Sequence, residues 1–182
     1  MKRQIVMGIL LLAGCSTATG SDTVGSLGEQ EPAGRGCLSL RQDDGTHHFV
    51  TSGWEVVKNT ASTPVTITDV QVTDPHGVTI TDSRVVAVPK GSYTLIGNVI
   101  GHQYSADAQQ WLGESWPAIG GRIAAGEQVN LILFLRTHGG QMGPVRIAYA
   151  DVDGDTHLWT GGTDWSFMPN CLKNDGYRDV GP

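Results

Sequence analysis

The amino-acid sequence predicts an all-β protein, specifically an antiparallel β-sandwich of about seven to nine strands. From residue 37 onward, apolar and polar residues alternate along short runs, which is the pattern of half-buried strands. Turn-forming residues separate these runs about every 8 to 12 positions. Because no long stretch has helical periodicity, we expect the runs to pair with one another as sheets.

Short strands account for the first half of the predicted domain. They are expected at 48–58, 65–72, 78–80, 85–88 and 93–100. In the first of them Trp54 shares the parity of two valines, so its side chain is assigned to the core. In the second the apolar parity changes near Asp69, and a β-bulge is the simplest explanation.

The second half contains the strongest strand, at 128–136. Apolar side chains occupy both of its faces, as expected of a central strand that is covered on two sides. Further strands are expected at 145–150, 156–160 and 165–168. Asp153 and Gly154 supply the two-residue turn of a hairpin. Many short strands with frequent turns make the predicted sandwich loosely immunoglobulin-like.

The stretch 101–126 interrupts the alternation. Ser105 is a suitable N-cap for a short helix over 105–112. Three aromatic residues of this stretch, Tyr104, Trp111 and Trp116, are candidates for ligand contact, because aromatic faces stack on sugars or on partner side chains. The alternative is that the stretch folds back and covers the sandwich with these rings.

The amino terminus has a different pattern. Lys2 and Arg3 precede an apolar run that ends in Leu12-Ala13-Gly14-Cys15. This order of features resembles a bacterial lipoprotein signal peptide with its lipobox. The resemblance implies that residues 1–14 are removed and that a diacylglycerol on Cys15 anchors the chain. The alternatives are an ordinary secretory signal and a membrane-spanning helix, for which the run is shorter than the roughly 20 residues required.

The same resemblance implies a location in the cell envelope. That location is the outer membrane of a Gram-negative cell, which Ser16 favours, or the outer face of the cell membrane of a Gram-positive one. Residues 15–36 are small, polar and rich in glycine, and are predicted to form a lipidated flexible tether with a root-mean-square span of about 25 Å. The sandwich is predicted at 37–172, and 173–182 form a C-terminal tail.

The net charge bears on the partners that can be expected. The whole chain has 12 basic and 18 acidic residues. Removal of the signal peptide takes away Lys2 and Arg3, so 10 basic and 18 acidic residues remain. Nucleic acid is therefore an unfavourable partner, because an acidic surface repels phosphate backbones. Membrane association is expected through acyl chains on Cys15 and not through a basic patch.

Two cysteines remain once Cys15 is assigned to the lipid. Cys37 and Cys171 stand near the two ends of the predicted domain, in a compartment where thiols oxidise. A disulfide between them would join these ends and contribute about 4 to 5 kcal/mol by loop closure. The alternative is two buried free thiols.

Metal sites are not indicated by the residues available. His138 and Met142 lack the cysteine ligand of a copper site and are more simply part of a plain glycine loop. The alternating aspartates between 151 and 155 lack the glycine and glutamate positions of a calcium-binding EF-hand loop, and a solvated hairpin turn explains them. We therefore expect no metal and no cofactor.

Catalytic motifs are equally weak. The segment 113–117 has Pro117 where a hydrolase nucleophile elbow requires glycine. The anchor, the predicted sandwich and the lack of a catalytic constellation favour a non-enzymatic, lipid-anchored binding or assembly module, whose partner is another envelope protein or a glycan. Two alternatives remain, a polysaccharide-binding or glycan-acting protein that uses Trp111 and Trp116, and a lipoprotein that handles copper or calcium.

Overall fold

The computed structural model describes residues 25–28, 34–40, 48–89, 92 and 96–171. Here the chain forms two β-sheets and one helix, α1 (Ala106–Glu114), which confirms the all-β prediction. The strands are β1 (Gly34–Ser39), β2 (His48–Ser52), β3 (Val56–Lys58), β4 (Val65–Val72), β5 (His76–Ala87), β6 (Asn98–Ile100), β7 (Trp116–Pro117), β8 (Arg122–Ile123), β9 (Gln128–Met142), β10 (Val145–Ala150), β11 (Thr156–Thr160) and β12 (Thr163–Met168). The predicted signal peptide, Cys15 and the predicted tail at 173–182 lie outside the described residues.

Strand β9 is the centre of the larger sheet. β5 pairs antiparallel with it along most of its length, from His76 opposite Gln141 to Ala87 opposite Val129. On its other side β9 pairs in turn with β3, β2 and β12. With β1, β6 and β7 the sheet has eight strands and curls into a half-barrel. The predicted central strand is confirmed, although β9 continues beyond its predicted end.

Both faces of β9 are covered by apolar side chains. One face enters a hydrophobic cluster, the main cluster, through Val129, Leu131, Leu133 and Leu135, none of which is more than 1 % exposed. Ile132 points to the opposite face and belongs to a second group, the outer cluster, with Val86, Ile96 and Ala108. Because Ala108 is a residue of α1, the helix covers part of the outer face of the larger sheet.

The smaller sheet has the strand order β11, β10, β4, β8. Ala148 pairs with Asp69 and Tyr149 with Ile67, so Thr68 is an extra residue in β4 and the predicted β-bulge is confirmed. Ile67 and Tyr149 belong to the main cluster. The two sheets therefore share one hydrophobic core.

Several predictions about the strands are wrong. β1 and β12 pair in parallel, so the larger sheet is mixed and not purely antiparallel. The predicted strands at 78–80 and 85–88 form a single strand, because an irregularity between Ile80 and Asp82 lets β5 remain paired with β9. The described residues contain twelve strands in place of seven to nine, since several are only two or three residues long.

Two local predictions are also wrong. Trp54 is 48 % exposed, because β2 ends before Gly53 and the alternation restarts in β3 with Val57 in the core. The predicted glycine loop after residue 136 is a continuation of β9 through Gly139 and Gly140. Their φ angles of 110° and 131° are readily adopted only by glycine.

The fold begins before the predicted boundary at Cys37. Leu27 is 2 % exposed and forms a β-bridge with Asn59. Its amide donates a hydrogen bond to the Tyr149 hydroxyl at 3.3 Å, and the Gly28 amide donates one to the Lys58 carbonyl at 2.6 Å. Residues 25–28 and 34–36, which the sequence assigned to the tether, thus belong to the folded body.

The predicted disulfide is present. Cys37, in β1, is bonded to Cys171, and their Cα atoms are 5.9 Å apart although 134 positions separate them in the sequence. The bond joins the first strand of the larger sheet to the chain just after its last strand, β12. In the part of the chain that the structure describes, no helix has the length and apolar character needed to cross a membrane.

Candidate functional site

Three neighbouring rings form the candidate functional site, which we call the aromatic patch: Phe49, His102 and Tyr104. The ring centroids of Phe49 and His102 are 5.6 Å apart, and those of His102 and Tyr104 are 6.4 Å apart. Phe49 is 48 % exposed and His102 is exposed, whereas Tyr104 is half-buried. Aromatic side chains usually bury most of their surface, so two exposed rings beside a half-buried one are a candidate contact surface.

The patch lies on the outer face of the larger sheet because of the alternation in β2. Val50 points inward and is 1 % exposed, so its neighbour Phe49 points outward. Phe49 is paired with Arg136 of β9, which is also exposed. The amide of Gly101 donates a hydrogen bond to the Phe49 carbonyl at 2.7 Å, and the turn there, with φ of 73° at Gly101, brings His102 beside Phe49.

Tyr104 is held by contacts on two sides. Its hydroxyl is 2.7 Å from the hydroxyl of Thr51, which is 2 % exposed. Its ring packs against the outer cluster. Its carbonyl accepts a hydrogen bond from the Gln109 side chain in α1 at 3.1 Å, and Ser105 caps the same helix. The ring is therefore positioned by buried partners before any ligand binds, which lowers the entropic cost of a contact.

The three aromatic residues predicted from the sequence do not form one surface. Tyr104 lies in the patch, and Trp111 is half-buried on α1 against the outer cluster. Trp116 lies in β7, pairs with Val85 and packs against the main cluster. Both tryptophans therefore help to cover the sheets, which was the alternative considered for this stretch.

Sequence reasoning missed Phe49 and His102. A signal for Phe49 was present, because Phe49 alternates with Val50 and cannot share its face. His102 had no signal, since its position depends on the turn at Gly101 and on the pairing of β6 with β2. The patch offers ring faces, and Arg136 lies opposite Phe49 on the neighbouring strand, so the surface is suited to stacking.

The residues considered for nucleophilic catalysis have structural contacts. The Ser115 hydroxyl donates to the Leu112 carbonyl at 2.7 Å at the end of α1 and accepts from Arg84 Nε at 2.8 Å. Ser115 is 7 % exposed. These contacts give Ser115 a structural role at the end of the helix, and its hydroxyl is not exposed as a nucleophile would be.

The residues considered for metal binding are also explained by local structure. Met142 is 2 % exposed in the main cluster, so its sulfur is not available to an ion beside His138. Asp151 accepts hydrogen bonds from the amides of Asp153 and Asp155, both at 3.0 Å, as in a hairpin turn. Within the described ranges, no group of three or more histidine, cysteine, aspartate or glutamate side chains is arranged to hold a metal ion.

One carboxylate of this turn has a shifted pKa. The His157 Nε2 atom lies 2.9 Å from Asp151 Oδ2, and this hydrogen bond is the largest cause that lowers the pKa of Asp151. Desolvation is the next largest effect and raises the pKa, and the amides of Asp155 and Asp153 lower it further. The His157 ring also stacks on Tyr149, with 5.3 Å between centroids. These contacts stabilise the turn.

The function of this chain is inferred from the geometry of its own residues. No protein-family model matches the chain, and neither the curated proteins nor the solved structures include a match to it.

Proposed function

We propose that the protein is a non-catalytic, lipid-anchored binding module of the cell envelope and that the aromatic patch is its contact surface. The exposed ring of Phe49 beside His102 and Tyr104 is the observation that carries this proposal. Aromatic residues are over-represented at the energetically important positions of protein interfaces. The partner is another envelope protein.

The proposed anchor is an acyl-modified Cys15. The lipobox pattern supports it, and so does the Cys37–Cys171 disulfide, because disulfides persist in oxidising compartments outside the cytoplasm. Metabolic labelling with a palmitate analogue should label the protein, and Cys15→Ser should abolish the label. An unlabelled wild-type chain would contradict the anchor but not the contact surface.

The proposed architecture is a sandwich in which the curled eight-stranded sheet faces the four-stranded one. The shared main cluster, with side chains from both sheets, supports this arrangement. It presents the outer face of the larger sheet, with the aromatic patch, to solvent. A rigid body of this kind suits a module whose binding surface is formed before contact.

Site-specific crosslinking tests the contact surface. A photoreactive phenylalanine analogue at position 49 should give adducts in intact cells, whereas the same analogue at Leu158 should not. Leu158 is a matched control, because it is 57 % exposed and lies on β11 of the other sheet. Equal adducts at both positions, or none at position 49, would contradict the proposal.

A glycan is the second candidate partner, and one observation favours it. The Phe49 ring is exposed, and Arg136 lies opposite Phe49 in the pairing of β2 with β9, as at sugar-binding sites where polar groups accompany a ring face. Binding of the purified domain to envelope polysaccharide should weaken in Phe49→Ala and persist in Trp111→Ala. Crosslinks to protein at position 49 without polysaccharide binding would favour the first candidate.

A further inference from the structure

A cavity of about 370 Å³ lies away from the aromatic patch, where the end of β9 meets β1 and β12. Its lining includes Arg35, Asp74, Gln141, Asp164, Trp165 and Ser166. The volume is at the lower end of the range for small-ligand sites in proteins. Charged side chains of both signs face this space, in contrast to the apolar main cluster beneath it.

Distant parts of the chain meet at the cavity because of the strand pairing. In the parallel pair of β1 and β12, Arg35 lies opposite Asp164. Ser166 lies opposite Gln141 in the antiparallel pair of β12 and β9. Asp74 follows β4 in the connection to β5. Two opposite charges and two hydrogen-bonding side chains are thus brought to one place by the backbone.

The charged groups of the cavity form no salt bridge with one another. Among the described residues, the one acidic side chain within 4.0 Å of a basic side chain is Asp151, which contacts His157 on the smaller sheet. Arg35, Asp74 and Asp164 form no such pair. A guanidinium and two carboxylates that line one cavity without pairing remain available to a ligand with charges of both signs.

An aromatic residue, Trp165, also lines the cavity. Trp165 is 7 % exposed, and the ring of Trp54 meets it edge to face, with 5.8 Å between centroids. Gly36 lies against the Trp165 ring so closely that a Cβ atom there would be 2.3 Å from the ring. Met142 lies beside the tryptophan in the lining and belongs to the main cluster.

We propose that the cavity binds a small ligand that carries both a carboxylate and ammonium groups, such as a basic amino acid or the end of a peptide. Arg35 would hold the carboxylate, because a guanidinium pairs with it through two parallel hydrogen bonds. Asp74 and Asp164 would hold ammonium groups. With two carboxylates against one guanidinium, the lining favours a ligand with a net positive charge.

Calorimetric titration of the purified mature protein with L-lysine tests the proposal. Lysine should bind with a measurable dissociation constant, and 1,5-diaminopentane and hexanoate, which each lack one kind of charge, should bind about tenfold more weakly or not at all. Shifts of the Gln141 and Ser166 amide signals in NMR spectra should accompany binding. No heat and no shifts at millimolar lysine would overturn the proposal.

Variants that remove one charge locate the binding. Asp164→Asn and Arg35→Gln should each weaken lysine binding about tenfold or more and keep the melting temperature, because both side chains are exposed. Asp153→Asn and Arg146→Gln are matched controls, since they remove the same charges from exposed positions on the smaller sheet. Equal weakening in the controls, or unchanged affinity in the cavity variants, would overturn the assignment. Aromatic-patch variants should leave lysine affinity unchanged.

Discussion

Asn130 shows how a single buried amide connects separate segments of the larger sheet. It is fully buried, and its Nδ2 atom donates to the carbonyls of Gly53 and Glu55 at 2.7 and 2.9 Å. Its Oδ1 atom accepts from the Ile96 amide at 3.2 Å. One side chain therefore satisfies backbone groups of the break between β2 and β3 and of the chain before β6.

We expect Asn130→Ala to lower the free energy of unfolding by about 3 kcal/mol, because three hydrogen bonds to backbone groups in the interior are lost together. Urea unfolding followed by circular dichroism measures the difference. Gln103→Ala, at an exposed position, is the control and should change stability by less than about 0.5 kcal/mol. A loss for Asn130→Ala no larger than that of the control would contradict this role.

Asp151 makes the stability of the β10–β11 hairpin depend on acid pH. Its folded-state pKa lies below the ordinary value of about 3.9, chiefly through the hydrogen bond with His157. A lowered pKa means that the stabilisation is present above about pH 4 and is lost as the pH falls through the folded-state pKa. We expect His157→Gln to raise the pKa of Asp151, as measured by NMR titration of its carboxyl carbon. An unchanged titration midpoint would assign the shift to the backbone amides instead.

The stability of helix α1 depends on its N-cap, because the helix is short. It has nine residues, its N-cap Ser105 accepts a hydrogen bond from the Ala108 amide at 3.2 Å, and Ala108 is its buried residue. Short helices are marginal without such contacts. The sequence predicted this helix because its cap and composition are local features.

We expect Ser105→Ala to lower the free energy of unfolding by about 1 kcal/mol, because the amide at the third helical position loses its acceptor. Amide hydrogen exchange in α1 should become faster. Ser105→Asp retains a good cap and should keep the exchange slow. If both variants exchange alike, packing of the helix on the sheet and not the cap determines its stability.

At the scale of single elements, the sequence predicted those features that depend on residues close together in the chain. Strong alternation located the core part of β9, and the change of parity near Asp69 located the β-bulge. Prediction from the sequence failed where pairing with a distant strand determines the length or the contacts of an element. β9 continues through Gly139 and Gly140 because β5 and β12 pair with it there, and no local pattern indicates this. The position of His102 in the aromatic patch and the charged cavity were missed for the same reason.

At the scale of the whole molecule, the Cys37–Cys171 disulfide closes the larger sheet at the side formed by β1 and β12. We expect the double variant Cys37→Ser, Cys171→Ser to lose about 4 to 5 kcal/mol of unfolding free energy, since the unfolded chain gains the freedom of a long loop. Denaturant unfolding with and without reductant measures the loss. The reduced wild type should match the double variant, and equal stability of the oxidised and reduced forms would contradict the expectation.

The contact of Leu27 with Tyr149 shortens the predicted tether between the proposed anchor and the folded body. With the proposed lipid on Cys15, nine residues separate the anchor from Gly25, the first described residue, in place of the 21 residues expected for the tether. For a tether that is flexible, as the sequence predicts, the accessible volume grows as about the three-halves power of its length, so the effective concentration of the domain at the bilayer surface rises about three- to fourfold. Encounters with other membrane-bound molecules then become more frequent, and those with molecules far from the bilayer become rarer.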